Sequence, residues 1–181
     1  VDWTGDDNYT LRVVDSPQEL EDFLASRLAR GYGARMTAGF CWPWHDAERG
    51  QPLPDDVMIG QWARPWNNKN ERAHGDAPGR SLWATQDGGF GQVGCVYTAQ
   101  GFEYDWSGVI LGPDLVWRDG QFQADVSASR DGAFKGRGAA SFDTFVRNVY
   151  KVLLTRGMMG TVLYSTDEQT RRMLKGLIRD D

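Results

Sequence analysis

Residues 92–114 read QVGCVYTAQGFEYDWSGVILGPD, and this stretch decides the fold. The apolar residues 93–97 predict a strand, residues 98–103 predict a tight turn into a short helix, and residues 109–111 predict a second strand. Strand, helix and strand form a βαβ unit, whose two strands run parallel in one sheet. In such sheets, ligands bind outside the carboxyl ends of the strands. The stretch therefore predicts a parallel sheet with a functional turn at its carboxyl edge.

The turn itself has two readings. In the functional one, Gly101 lets the backbone approach a ligand, while Gln100 and Glu103 offer polar groups to a phosphate and a sugar hydroxyl. In the structural one, Thr98 is a helix N-cap, Gly101 is a packing glycine, and Glu103 complements the helix dipole from the first turn. The residues alone leave both readings open.

Composition bounds the class of protein. With 181 residues, of which 40% are hydrophobic, the chain can bury one core, so a single domain is expected. A formal net charge of −5 argues against a surface that is basic throughout, so any binding of DNA or RNA must be local. No apolar run approaches the ~18 residues that a membrane span needs, and no membrane partner is expected.

Two features of the chain bear on its cellular location and on whether it is part of a longer protein. Cys41 and Cys95 are the only cysteines and form no paired motif, which favours buried free thiols and a cytoplasmic location. The chain begins at Val1 without an initiator methionine, which indicates either a piece of a longer protein or a processed N-terminus.

The opening of the chain predicts β-α-β. Residues 9–14 predict a strand, and residues 35–41 predict another. Between them, Ser16 with Glu19 forms a capping box, and Pro17 stands at the first helical position. This part adds to the parallel sheet.

Residues 42–92 lack clear periodicity and hold five prolines and five of the eight tryptophans, so we expect an irregular insertion. Its tryptophans, Trp66 among them, either stack on bases, or cover the sheet or pack against a neighbouring domain. Packing is favoured because tryptophan is highly buried on average. Only residues 57–59 predict a core strand. Cys41 and His45 have a metal-like spacing, but no second pair of ligands accompanies them, so no metal site is expected.

Residues 114–125 predict a β-hairpin that leaves the parallel sheet, because Asp119-Gly120 separates two alternating runs. Asp114 and Asp125 resemble nuclease carboxylates only loosely, since acidic residues are common at hairpin ends. The glycine-rich, basic residues 129–138 predict a loop, with phosphate contact as a further reading.

Near the end of the chain, a helix beginning at Ser141 has a strong apolar face and ends before Gly157. Arg156 either satisfies the last carbonyl groups of this helix or reaches a nucleotide phosphate from across a cleft. Residues 161–164 predict a last strand. Residues 167–178 predict a last helix, with Ser165 or Thr166 as its cap.

No Gly-Lys dipeptide occurs anywhere in the sequence, so the chain has no phosphate-binding P-loop. On its own it is expected neither to hydrolyse ATP nor to bind it tightly.

Two motifs carry a resemblance to a known family. Tyr97-Thr98-Ala99-Gln100-Gly101-Phe102-Glu103 resembles motif V of superfamily 1 helicases, and Leu154-Thr155-Arg156 resembles the Thr-Arg of motif VI. The longer strings VGCVYTAQGFEYDWSGVILGPDLVWR and RNVYKVLLTRGMMGT are similar to a bacterial family that is related to Schlafen-type DNA/RNA helicase domains. With the strand RMTAGFCWPW and Pro65-Trp66-Asn67, the likeness covers nearly the whole chain.

The resemblance implies a three-layer RecA-like fold of the P-loop NTPase type over residues 1–181, as the second half of a larger ATPase. It implies that ATP and magnesium are held mainly by an N-terminal P-loop domain of the same protein. Gln100, Gly101 and Glu103 would then lie near the γ-phosphate and ribose, and Arg156 would act as the arginine finger. Tyr97, Thr98 and Trp66 are weaker candidates for contact with DNA or RNA, because Tyr97 stands where the motif has histidine.

The residues also leave a second function open. The chain is either half of a nucleic-acid-dependent ATPase, or a binding module without enzymatic activity that uses the tryptophan-rich insertion to hold a protein or nucleic-acid partner.

Overall fold

The structure is a computed structural model that describes residues 8–134 and 138–178. It contains nine strands and four α-helices within these residues. The strands are β1 (Thr10–Val13), β2 (Ala34–Ala38), β3 (Val57–Ile59), β4 (Trp62–Arg64), β5 (Val93–Gly94), β6 (Tyr104–Leu111), β7 (Leu115–Arg118), β8 (Gln121–Ala124) and β9 (Gly157–Ser165). The helices are α1 (Pro17–Leu28), α2 (Val96–Ala99), α3 (Ala139–Leu154) and α4 (Glu168–Leu177).

Five strands form one parallel sheet in the order β1-β9-β6-β2-β5. The centre is formed by β6 and β9, which pair from Tyr104 with Gly157 to Leu111 with Ser165. The prediction of an α/β protein with a mostly parallel sheet is therefore confirmed, and this architecture is compatible with a RecA-like fold.

The two faces of the sheet are covered by different helices. On one face, Leu20 and Leu24 of α1 belong to the same buried cluster as Ile110 and Val162 of the central strands. On the other face, the apolar side of α3 packs with Val109 and Leu163. Side chains of successive strand residues point to opposite faces, so β6 and β9 each supply both cores. The result is a helix-sheet-helix sandwich.

The strand predicted for residues 93–97 is wrong beyond its first two residues. Only Val93 and Gly94 pair in the sheet, and the chain turns into α2 at Val96. A short apolar run fits a buried helix as well as a buried strand, so periodicity could not separate them. The predicted helix over residues 98–103 is accordingly displaced toward the N-terminus.

As a nearly continuous apolar run, the strand at residues 93–97 is expected to be central in the sheet. Instead β5 lies at the end of the sheet order, and β2 separates it from β6. Its outer side is nevertheless paired: the Val93 N–H donates to the Pro65 carbonyl at 2.9 Å, and the Asn67 N–H donates to the Val93 carbonyl at 2.9 Å. Val93 is fully buried. The tryptophan-rich insertion therefore covers this edge.

The two hairpins lie outside the parallel sheet. The β7–β8 hairpin turns at Asp119 and Gly120, whose φ angles of 50° and 77° fit the predicted turn. The strand predicted for residues 57–59 exists as β3, but it pairs with β4 in a separate antiparallel hairpin.

The cap of the last helix differs from the prediction. Asp167, rather than Ser165 or Thr166, accepts the N–H of Thr170 and begins α4. No helix within the described residues is long and apolar enough to cross a bilayer.

Candidate functional site

The motif at residues 100–103 forms an exposed turn between α2 and β6. Gly101 has a φ angle of 91°, in the region that glycine adopts without strain. Gln100, Gly101 and Glu103 are all exposed, and no hydrogen bond or ion pair of the Gln100 or Glu103 side chain is found within the described residues. These side chains are free to meet a ligand.

Arg156 lies beside this turn. It connects α3 to β9, and its carbonyl accepts the N–H of Tyr104, the first residue of β6, at 3.1 Å. Its Nη1 donates to the carbonyl of Phe102 at 3.4 Å. The structure thus brings Arg156 together with Gln100, Gly101 and Glu103 on one rim of the sheet.

This rim is the amino-terminal one, which corrects the expected position at the carboxyl ends. Both β6 and β9 begin here, at Tyr104 and Gly157. The reason is that α2 carries the chain back along the sheet, from the carboxyl end of β5 to the amino end of β6. The motif therefore starts at the carboxyl-terminal ends of the strands and finishes at their amino-terminal ends.

Within residues 8–134 and 138–178, the guanidinium of Arg156 donates to neutral acceptors only. Its Nε donates to the Val152 carbonyl at 2.9 Å and its Nη2 donates to Thr155 Oγ1 at 3.1 Å, besides the contact with Phe102. No carboxylate pairs with it in the described part of the chain. Three of its five N–H groups are thus used, partly to satisfy the end of α3, and two remain for a ligand.

Of the three weaker candidates, only Tyr97 presents its side chain to solvent, with 54% exposure. Its hydroxyl donates to Asp131 Oδ2 at 2.6 Å, and burial together with this carboxylate raises its pKa. Thr98 is buried. Trp66 is 1% exposed, and its Nε1 donates to the Pro43 carbonyl at 2.7 Å. The ring of Trp66 therefore has no face open to a base.

Two residues near the rim were missed by the sequence analysis. Tyr104 is buried, its hydroxyl has no hydrogen-bond partner among the described residues, and burial raises its pKa to about 12. Arg35 donates through Nε to the Trp83 carbonyl at 2.7 Å and through Nη2 to the Gln86 carbonyl at 2.6 Å. The sequence signal that could have identified Arg35 is the presence of an arginine within the apolar run of β2.

The carboxylates considered for metal binding have other partners. Asp114 accepts the hydroxyl of Tyr150 at 2.6 Å, whereas Asp125 accepts the N–H and the hydroxyl of Ser127 at 2.9 and 2.6 Å. His45 hydrogen-bonds through Nδ1 to Asp56 at 2.6 Å. Among residues 8–134 and 138–178, no group of three or more His, Cys, Asp or Glu side chains could hold a metal ion.

The tryptophan-rich insertion is packed rather than displayed. Trp62, Trp66 and Trp83 are buried, so the packing alternative is confirmed for them. The insertion also borders an open cavity of about 690 Å³ whose charged lining residues are Asp55 and Asp76. No lysine or arginine lines this cavity in the described chain, so it offers no charge to attract phosphate.

The basic loop predicted for residues 129–138 is described in part. The N–H of Arg130 donates to the Phe40 carbonyl at 2.7 Å, which fixes the start of the loop. Lys135 and Arg137 lie outside the described residues, so the phosphate-contact reading stays a prediction.

Comparisons with known proteins give a family and one relative. The family model for "Schlafen group 3, DNA/RNA helicase domain" matches residues 1–167. A protein of Saccharomyces cerevisiae, "Uncharacterized protein YPL245W", is 29% identical over 100 residues, which cover 51% of this chain and 22% of the relative. The matched region is thus about a fifth of that protein's length. No solved structure matches at a significant level. Because the family model spans most of the 181 residues, including both motifs at the amino-terminal rim, the chain belongs to the Schlafen group 3 DNA/RNA helicase domain family.

Proposed function

We propose that this chain is the second RecA-like half of a superfamily 1-like, nucleic-acid-dependent ATPase or helicase. The membership of a helicase-domain family supports a helicase-like role. In the proposal, ATP and magnesium bind chiefly to a P-loop domain that precedes this chain, because the chain has no Gly-Lys phosphate loop. The amino-terminal rim described above then faces that nucleotide.

The observation that carries the proposal is the position of Arg156 against the motif turn, with a guanidinium that no carboxylate neutralises within the described residues. An arginine finger must offer N–H groups to a phosphoryl group whose charge increases during transfer. Two N–H groups of Arg156 are available for this. Its hydrogen bond to the Val152 carbonyl holds the side chain in place at the end of α3. Arg156 can therefore satisfy a carbonyl of the helix and still reach a nucleotide phosphate.

The neighbouring residues have chemistry that suits the rest of a nucleotide. Glu103 offers a carboxylate that can accept a ribose hydroxyl, and Gln100 offers an amide. Gly101 has no side chain and lets a phosphate approach the backbone. Nucleic-acid contact, if it uses the motif, falls to Tyr97, since Thr98 and Trp66 are buried.

The test is turnover of ATP by the protein that contains both this chain and a P-loop domain. Arg156→Ala should lower kcat by about 10³-fold or more while changing ATP binding little, because a finger acts in the transition state. Arg156→Lys should restore little, since an ammonium group cannot replace the planar fork. Turnover is measured with and without DNA or RNA.

The matched control is Arg172→Ala, which removes an exposed arginine of α4 away from the rim. Thermal unfolding of all variants shows whether lost activity reflects lost fold. An Arg156→Ala protein that is folded and turns over ATP at the normal rate would contradict the proposal.

The alternative function, a binding module based on the insertion, has less support. It relied on exposed tryptophans, and three of the five in the insertion are buried.

A further inference from the structure

A second site lies on the face of the sheet that α3 covers. It is a groove of about 390 Å³ between α3, the β7–β8 hairpin and α4. Leu111 and Leu163 of the central strands form its floor, and Leu115, Phe122 and Leu174 form the wall opposite α3. We refer to it as the α3 groove.

The α3 side of the groove is formed by residues at helical spacing, from Arg147 to Thr155. With a rise of about 1.5 Å per residue, this wall is about 12 Å long. The groove is therefore elongated, and apolar along most of its length.

Two cationic side chains line the groove, and their surroundings differ. Arg147 is paired with Asp143 at 2.8 Å and also donates to the Phe122 carbonyl at 2.6 Å, which ties the hairpin to α3. Lys151 is exposed, and no carboxylate pairs with its ammonium group in the described residues. Lys151 thus supplies one uncompensated positive charge beside an apolar surface.

The size of the groove, about 390 Å³, suits a small ligand. Small-molecule pockets span about 300–1,000 Å³, and they are mostly apolar with a few polar groups that fix orientation. The volume and the lining therefore favour a small ligand.

The geometry points to the α3 groove as a binding site for a small amphiphilic carboxylate, with its apolar tail between α3 and α4 and its carboxylate at Lys151. Burial of the tail supplies most of the affinity, and the ion pair supplies the preference for an anion. The inference does not depend on the proposed ATPase function, because Lys151 and the apolar lining are not part of the candidate nucleotide site, although Thr155 at the end of the groove contacts Arg156.

Decanoate is the probe, used below its micellar concentration with this 181-residue chain. Calorimetry gives the dissociation constant, and shifts of the Leu154 and Leu174 methyl signals in NMR give the location. Shortening the probe to octanoate and hexanoate should weaken binding by about fourfold per CH₂ removed. Decylammonium, the probe of opposite charge, should bind more weakly than decanoate.

Reversal of one charge tests the role of Lys151. In Lys151→Glu, decylammonium should bind more tightly than decanoate, with each probe changing by up to about fivefold, the scale of an exposed ion pair. Arg172→Glu, a reversal on the exposed side of α4, is the control and should leave both constants unchanged.

Three results would overturn the inference: no decanoate binding, methyl shifts outside the groove, or equal binding of the two probes in both proteins. Equal binding would mean that the groove is only an apolar surface.

Discussion

Asp114 shows at the residue scale how burial separates two neighbouring acids. It is 3% exposed and accepts the Tyr150 hydroxyl, whereas Asp125 at the other end of the hairpin is exposed. Burial raises the pKa of the Asp114 carboxyl, although the Tyr150 hydroxyl acts in the opposite direction. Sequence spacing made these two carboxyls look equivalent, and only their surroundings distinguish them.

The raised pKa predicts a pH effect on stability. Because the folded protein holds the Asp114 proton more tightly than the unfolded chain, folding is favoured most below the unfolded pKa of about 3.9 and loses stability as pH rises through the folded pKa. Asp114→Asn removes this loss and can still accept from Tyr150. Its free energy of unfolding, relative to that of the unmodified protein, should therefore increase between pH 4 and pH 7 in urea titrations.

Asp125→Asn serves as the comparison, since its side chain is exposed and keeps an acceptor for Ser127. Equal pH dependence for Asp114→Asn and the unmodified protein would show that Asp114 does not titrate differently on folding.

At the scale of the element, α4 depends on one side chain at its first turn. Asp167 accepts the Thr170 N–H at 2.8 Å and pairs with both terminal nitrogens of Arg118 at 2.8 and 2.7 Å. The Arg118 guanidinium holds the pKa of Asp167 well below its usual range. Asp167 therefore joins the β7–β8 hairpin to α4, which form part of the wall of the α3 groove.

Loss of this side chain should destabilise the protein. Asp167→Ala removes the cap and the ion pair together, and we expect the free energy of unfolding to fall by about 2 kcal/mol at pH 7. The lowered pKa means that the stabilisation is present above the unfolded pKa of about 3.9 and is lost as pH falls below it. Urea titrations at pH 7 and pH 3 should show a smaller difference at pH 3.

The control at this helix is Glu168→Ala, whose carboxylate is exposed and lies 3.6 Å from Arg172. It should change stability by no more than a few tenths of a kcal/mol. An Asp167→Ala protein no less stable than this control would refute the role of the cap.

At the scale of the whole molecule, Arg35 connects the parallel sheet to the tryptophan-rich insertion. It is 3% exposed, and burial lowers its pKa. Its bonds to the carbonyls of Trp83 and Gln86 hold a segment that has no strand of its own. Trp83 in turn packs edge-on against Tyr104 beside the candidate site, with ring centroids 6.3 Å apart.

We expect Arg35→Met to release this segment. The substitution keeps an apolar stem but removes the Arg35 donor from the Trp83 carbonyl and leaves the Gln86 carbonyl with the Gly89 N–H, which should lower the free energy of unfolding by about 2 kcal/mol. Hydrogen exchange should become faster in residues 82–92 under conditions in which exchange in β6 and β9 is unchanged. Arg30→Met, a substitution at an exposed arginine, is the control. If residues 82–92 exchange at the same rate in Arg35→Met as in Arg30→Met, Arg35 does not connect the sheet to the insertion.

Local patterns in the sequence were sufficient for much of the architecture. The Ser16 cap of α1, the apolar face of α3 and the Asp119-Gly120 turn each depend on residues a few positions apart, and each appears in the structure. The predicted capping box forms only in part, because the Glu19 side chain accepts from the Asp15 N–H and not from the Ser16 N–H. The motif at residues 97–103 and Arg156 were identified as candidates from the sequence, because family resemblance rests on residue identity.

Contacts between distant residues decided the rest. Whether residues 93–97 form a strand or a helix, and which strand lies at the edge, depend on the pairing of Val93 with Pro65 and Asn67. The meeting of Arg156 with Phe102 at the amino-terminal rim depends on the register of β6 with β9. Such pairings join residues tens of positions apart, and their free energy comes from burial and hydrogen bonds that form only when the whole sheet is assembled.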